Sequence, residues 1–474
     1  MTAGGLSAAS GCRIDVQKAI AKYGAAAHLA ILAVAPLFLF PFFGVETISV
    51  VLFWLSGLAA VWVLMEPSLR YGESPHLARQ RVVRSIVHDP LFWTLLTIVC
   101  LAGVRALNTG IRMAYDAESA SWKLTSADFP LLPGCVGSAG FLPFAASVGS
   151  LVLLQGCRHS LGRSARMAFL LVASALAGLA AAVAVCLAGC GQETLLRQVK
   201  CSALDSAYVG TAFAVHLFGA TVALFVAFER KWRLAMPFFT FAIGGTAAGL
   251  FAFAPAFVVT VFLAAECVLL IYVFAVSIRA LPASGEFKLL VAAGIALTMG
   301  GLLVAAMLPR DVFDGRVAEL MGLTFFPDGF YEQRAFLSGV ALKSWLSHLW
   351  IGTGLGSFPL DFSFSATTED WQQFRGQVVG LPNGWWLLLA ERGLVGALTL
   401  ALTVGFLVFS YVRKCVAWVP TRTYPHPACL LAPVVVACLA VTGTFDCSFL
   451  RAEVLMAAGA CLAVSANAFT RVRG

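Results

Sequence analysis

Apolar residues in this chain come in long unbroken blocks separated by short charged stretches, a spacing unlike that of a soluble amphipathic helix. A block of about 20 such residues crosses the hydrocarbon core of a bilayer as one helix. The blocks predict twelve spans, at about 25–43, 46–65, 91–107, 141–156, 168–190, 207–228, 234–253, 256–277, 289–308, 384–411, 429–445 and 453–469. Lipid offers no hydrogen-bond partners, so each span must close its own backbone bonds as a helix. The expected fold class is all-α, a polytopic membrane protein of about twelve transmembrane helices.

Polar residues accumulate in three longer connections: 108–140, 191–206 and 309–383. The last is unusually long for a connection, and long ordered loops tend to be functional. It lies between spans nine and ten and divides the chain into a membrane region at 1–308, a loop region at 309–383 and a second membrane region at 384–474. Inside it, "YEQRAFLSGVALKSWLSHLW" (331–350) sets Phe336, Val340, Leu342, Leu346 and Leu349 at helical spacing. That pattern predicts an amphipathic helix lying at the interface. The "IGTGLGSF" run (351–358) then breaks it with three glycines.

Composition agrees with the pattern. Hydrophobic residues make up 60% of the 474 and charged residues 12%, about half the charged share of a soluble domain. The basic residues gather in alternate short loops, around Arg13–Lys22, Arg70–Arg84, Arg158–Arg166, Arg230–Arg233, Arg279–Lys288, Arg413–Arg422 and Arg471–Arg473. By the positive-inside rule these loops and both termini face the cytoplasm. The net charge of +8 follows from this bias, so membrane lipids are expected partners and nucleic acid is not. The N-terminal stretch has no apolar core followed by a cleavage site, so the first span is expected to be retained. The 13 cysteines form no CxxC pair. Cys190 and Cys201 fall near the outer face, with pairing left open.

Candidate chemistry concentrates on the outer side. Arg334 opens the amphipathic helix, where a guanidinium suits either a phosphate clamp or a snorkelling contact with lipid headgroups. Gly354 and Gly356 suit an anion-binding nest of backbone amides or a plain turn. His348 is the outer-side histidine, either a base or an interfacial residue. Glu391 and Arg392 stand within the apolar block that begins after Asn383. Charges in a span are costly and call for partners. These two neighbours point about 100° apart on a helix and need partners elsewhere. Gly393 and Gly396 offer a face for close helix approach.

Four stretches resemble the O-antigen ligase / O-antigen polymerase family of bacterial surface-polysaccharide enzymes. "RAFLSGVALKSWLSHLWIGTGLGSF" (334–358) is similar to that family's loop arginine followed by a glycine-rich run. "PNGWWLLLAERGLVG" (382–396) has its Asn, nine residues, Gly, two residues, Gly spacing. "SALDSAYVGTAFAVHLFGATVALF" (202–225) and "TFDCSFLRAEVLMAAGACLA" (444–463) resemble an earlier segment and the last loop and span. The resemblance implies a GT-C-like membrane fold with its large loop in the periplasm. It implies transfer or polymerisation of an undecaprenyl-pyrophosphate-linked glycan onto the hydroxyl of a glycan, lipid or protein acceptor, with no metal or other cofactor. Arg334 inherits the pyrophosphate contact, Asn383 belongs to the post-loop motif, and Glu391 becomes an internal partner of the loop or a neighbouring helix.

The chain departs from the family pattern at two places. The motif histidine, which activates the acceptor hydroxyl in the family, falls at Pro382, and the Ser-Arg near the eighth span is replaced by Pro255 and Ala256. Arg197, Lys200 or Arg375 are candidates for the missing cation, and Asp361, Glu369, Asp370 or His348 for the base. Two other readings stay open: a non-catalytic relative that binds lipid-linked glycan, and a secondary transporter, which would need broken helices and a midplane polar site.

Overall fold

A computed structural model describes residues 23–468, apart from 40–42, 44, 72–73, 108–110, 117–120, 127–140, 190–202, 230–234, 281–282, 308–309, 322–329, 359–381 and 419–425. Each predicted apolar block is occupied by a helix. The first region contains α1 (Tyr23–Leu39), α2 (Val45–Tyr71), α3 (Pro75–Val87) and α4 (Pro90–Leu107). A hairpin of β1 (Ile111–Asp116) and β2 (Ser121–Ser126) follows within the polar 108–140 connection, its strands antiparallel with Ile111 opposite Ser126. Next come α5 (Phe141–Gln155), α6 (Arg163–Gly189), α7 (Ala203–Glu229), α8 (Met236–Phe253), α9 (Ala256–Ala280) and α10 (Ala283–Met307). The loop region supplies α11 (Arg310–Met321) and α12 (Phe330–Ser347), and the C-terminal region α13 (Gly384–Trp418), α14 (Leu431–Thr442) and α15 (Ala452–Ala468).

Seven of these helices are long and apolar enough to cross a membrane, or eight if the bent pair α3–α4 counts as one span. Apolar segments in α1, α10, α14 and α15 are shorter. Large apolar side chains such as Trp54, Phe238, Ile271 and Leu302 are exposed on the rim, an arrangement that water would penalise and lipid favours. The protein is accordingly a helical, multi-pass membrane protein.

α7 is the axis of the bundle. Its residues 210–228 are all buried, and it packs against α6, α8, α9 and α15. Phe213, Phe218 and Phe225 are fully buried along it, and Phe218 stacks on Phe262 of α9 with ring centroids 5.4 Å apart. Without a hydrophobic force between helices in lipid, such contacts depend on close fit. At the α6–α8 crossing a Cβ on Gly245 would stand 2.3 Å from the carbonyl oxygen of Gly178. Only glycine permits that approach.

The loop region differs from expectation in two ways. The helix α11 over Arg310–Met321 is an addition with no apolar pattern to announce it. The amphipathic helix forms as expected, but its buried face is Leu337, Val340, Ala341 and Ser344. Leu346, Leu349 and Trp350 are exposed instead. Leu337 and Leu346 are nine positions apart, about half a turn out of phase at 100° per residue. One face therefore packs against α13, leaving a second apolar edge outward.

Candidate functional site

The glycine-rich turn after α12 is built into a break in α13. Asn383 caps that helix: its side-chain oxygen accepts from the Trp386 N–H at 3.0 Å, and its carbonyl accepts from Leu387 at 3.0 Å. Ten residues on, Gly393 leaves helical geometry, with φ 64° and ψ −170°. The break frees backbone groups on either side of it. The Ala390 carbonyl accepts from the Thr353 N–H at 2.8 Å and the Glu391 carbonyl from Gly354 at 3.1 Å. Across the break, the Leu394 and Val395 amides donate to the carbonyls of Leu349 and Trp350, each at 3.0 Å. The 349–354 turn thus replaces the missing helical bonds. Backbone groups of the turn partner these two amides and two carbonyls of the broken helix.

Glycine is required on both sides of this joint. A Cβ on Gly393 would lie 2.4 Å from the Gly352 nitrogen, and one on Gly352 2.5 Å from the Glu391 carbonyl carbon. Gly352, Gly354 and Gly356 all have positive φ. The Gly354 amide donates to the Glu391 carbonyl. Gly356 stays exposed at the turn's tip. Thr353 and Ser357 share a hydroxyl hydrogen bond of 2.7 Å that ties the turn internally.

Glu391 closes the same joint from its side chain. It is 9% exposed, and its Oε1 accepts from the Phe358 N–H at 3.5 Å. One carboxylate oxygen thus reaches the end of the glycine turn. Arg392 points to the other side, lining a small cavity with Leu101 of α4 and Leu355.

Below the joint, four segments distant in sequence meet around Arg334. Tyr208 in the first turns of α7 hydrogen-bonds Cys447 through its hydroxyl at 2.9 Å. Arg451 stacks over the Tyr208 ring, its guanidinium carbon 4.5 Å from the centroid. Arg334 lies in electrostatic contact with Cys447, Asp446 and Tyr208. Burial pulls the Arg334 guanidinium below the usual arginine range, and those three groups pull it back. Burial pushes the Cys447 thiol up to about 12, so it stays protonated and unreactive near neutral pH. The Gly384 N–H, next to the Asn383 cap, donates to the Asp446 carbonyl at 2.7 Å. Packing around the charges is apolar: Leu337, Val340, Phe358, Leu387 and Ala390 form one buried cluster with Tyr208 and Cys447. Charges are held strongly in such surroundings because water does not screen them.

Of the residues singled out in the sequence, Arg334, Asn383, Glu391 and Gly354 come together here. Asn383 and Glu391 act on backbone amides. His348 does not join them. It is exposed, its ring next to the Ser347 hydroxyl at 3.0 Å, and it sits about 20 Å along the helix from Arg334 at 1.5 Å per residue. Arg197, Lys200, Arg375, Asp361, Glu369 and Asp370 lie outside the described residues, as do Cys190 and Cys201. Pro382 is buried at the head of the Asn383 cap. Among the described residues, no group of three or more His, Cys, Asp or Glu side chains is placed to hold a metal ion.

The residues that sequence reasoning missed are Tyr208, Asp446, Cys447 and Arg451. The stretches carrying them were noticed, but nothing in their spacing picked out those side chains. No protein-family model matches the chain, and comparison with curated proteins gives no match.

Proposed function

We propose that the protein transfers or polymerises an undecaprenyl-pyrophosphate-linked glycan onto an acceptor hydroxyl at the periplasmic face of the bacterial inner membrane. In this reading all twelve apolar helices cross the bilayer, both termini are cytoplasmic, and α11, α12 and the glycine turn lie over the outer half. The observation that carries it is the meeting of the four resembling stretches, 202–225, 334–358, 382–396 and 444–463, at Tyr208, Arg334, the Asn383 cap and Asp446–Arg451. A membrane-level cation pair suits a lipid donor that arrives sideways from the bilayer.

Chemically, Arg334 and Arg451 hold the pyrophosphate and take up the charge that develops as the anomeric C–O bond breaks. The acceptor oxygen bonds to the anomeric carbon, its proton passes to a carboxylate, and undecaprenyl pyrophosphate leaves. Asp446 fills the carboxylate role: its backbone is joined to Gly384, two residues from the Pro382 that occupies the family's histidine position. Glu391 is a positioning residue that keeps the glycine turn docked.

Purified protein given undecaprenyl-pyrophosphate glycan and a panel of acceptors is expected to release undecaprenyl pyrophosphate and form product, with Arg334→Ala inactive. Pro382 favours a second reading, a relative that binds the carrier without turnover. Binding without product from any acceptor, together with activity gained in Pro382→His, would select it.

A further inference from the structure

The short helix α3 forms a second, unrelated site. It carries Arg79, Arg81 and Arg84 and no acidic residue, and it meets α4 at 81°. Trp93 stands at that corner, its indole N–H donating to the Val87 carbonyl at 2.9 Å. Exposed tryptophan and the exposed apolar Val83 and Val87 mark a helix that runs along the membrane surface. Leu77, Gln80, Arg81, Arg84, Ser85 and His88 line an open cleft of about 720 Å³. Their spacing of three and four places all six on one face of the helix.

The cleft is held in shape from behind. The Ser85 hydroxyl pairs with His159 Nδ1 at 2.7 Å, and His159 Nε2 reaches Asp89 at 3.1 Å. Arg158 grips the same carboxylate oxygen at 3.1 Å. This chain of contacts fastens the end of α3 to the turn after α5. It also gives the Asp89 carboxylate two partners of its own, Arg158 and His159.

We infer that this cleft binds the phosphate headgroup of an anionic glycerophospholipid. Arg81 and Arg84 supply the charge, Gln80 a neutral hydrogen bond, and Leu77 apolar contact for the upper acyl chain. The site depends on nothing proposed for the Arg334 cluster.

The test is lipid retention by full-length purified protein, counted by native mass spectrometry after exchange with phosphatidylglycerol or phosphatidylcholine of matched chains. Phosphatidylglycerol is expected to be retained and phosphatidylcholine to wash out. Arg81→Gln with Arg84→Gln should weaken retention about 30-fold, roughly fivefold per arginine, while the Lys pair keeps most of it. Arg79→Gln, on the other side of the helix, should leave retention unchanged. If the double variant does not fold, Arg84→Gln alone should show the single-residue loss. Equal retention of the two lipids, an Arg79→Gln loss as large as that of Arg84→Gln, or displacement of the lipid by inorganic phosphate would overturn the proposal.

Discussion

Substituting Gly393 by alanine tests whether the glycine turn and the broken helix form one joint. The new Cβ would meet backbone at 2.4 Å from the Gly352 nitrogen and 2.5 Å from both the Trp350 carbonyl carbon and its oxygen. None of these is the flexible end of a side chain. The backbone at φ 64° and ψ −170° is almost exclusive to glycine, and forcing alanine into it costs about 1–3 kcal/mol. The clash also displaces the turn, and the two bonds from Leu394 and Val395 open at roughly 1 kcal/mol each. The sum is about 3–5 kcal/mol of local destabilisation. Hydrogen exchange of the full-length protein reads it directly: the amides of Thr353, Gly354, Leu394 and Val395 should exchange at least about 100-fold faster. Gly405→Ala lies on the same helix with nothing within 4 Å of the added Cβ, so it should be neutral or more stable by up to about 1 kcal/mol. Unchanged exchange at those four amides in Gly393→Ala would refute the joint.

Further expectations follow from the same contacts. Asp446→Asn removes an acid in electrostatic contact with the half-buried Arg334, so melting temperature should fall, and added undecaprenyl pyrophosphate should restore part of it. The same variant should lose turnover about 10²–10⁴-fold in the transfer assay if Asp446 accepts the proton. Cys447 should resist maleimide at neutral pH in the folded protein and label only on denaturation, because burial leaves it 1% exposed and protonated. Asp89 is partly buried, which by itself would raise its pKa, but the His159 hydrogen bond and the Arg158 charge hold it below 3.8. Its folded pKa is depressed, so its stabilisation is present above about pH 4 and lost as pH falls through the lower folded value. The difference in melting temperature between wild type and Asp89→Asn should therefore persist at pH 5–7, by about the same amount, and vanish in stronger acid.

Much of this arrangement was legible from apolar block length. Every predicted span contains a helix, since lipid leaves a backbone few alternatives. The amphipathic helix was legible in existence but not in phase: Leu346 and Leu349 matched the period as well as Leu337 and Val340, and only the partner surface on α13 chose between them. The Asn383 cap and the two glycines at 393 and 396 stood out by spacing. That Gly393 breaks its helix did not, because a glycine is tolerated in a continuous span and the break depends on a turn some 40 residues earlier in the chain. The partners of Arg334 were hidden for a related reason. Asp446 and Arg451 lie more than 100 residues away, and nothing local sets them apart from other short-loop charges.

The claim at the centre of this account is that the Arg334 cluster receives a lipid-linked pyrophosphate. A photoreactive undecaprenyl-pyrophosphate glycan, cross-linked to the protein in membranes and mapped by peptide mass spectrometry, addresses it without depending on turnover. Adducts are predicted within 331–358 and 444–451, and Arg334→Ala should remove them. Adducts confined to other segments, or a pattern that Arg334→Ala leaves intact, would contradict it.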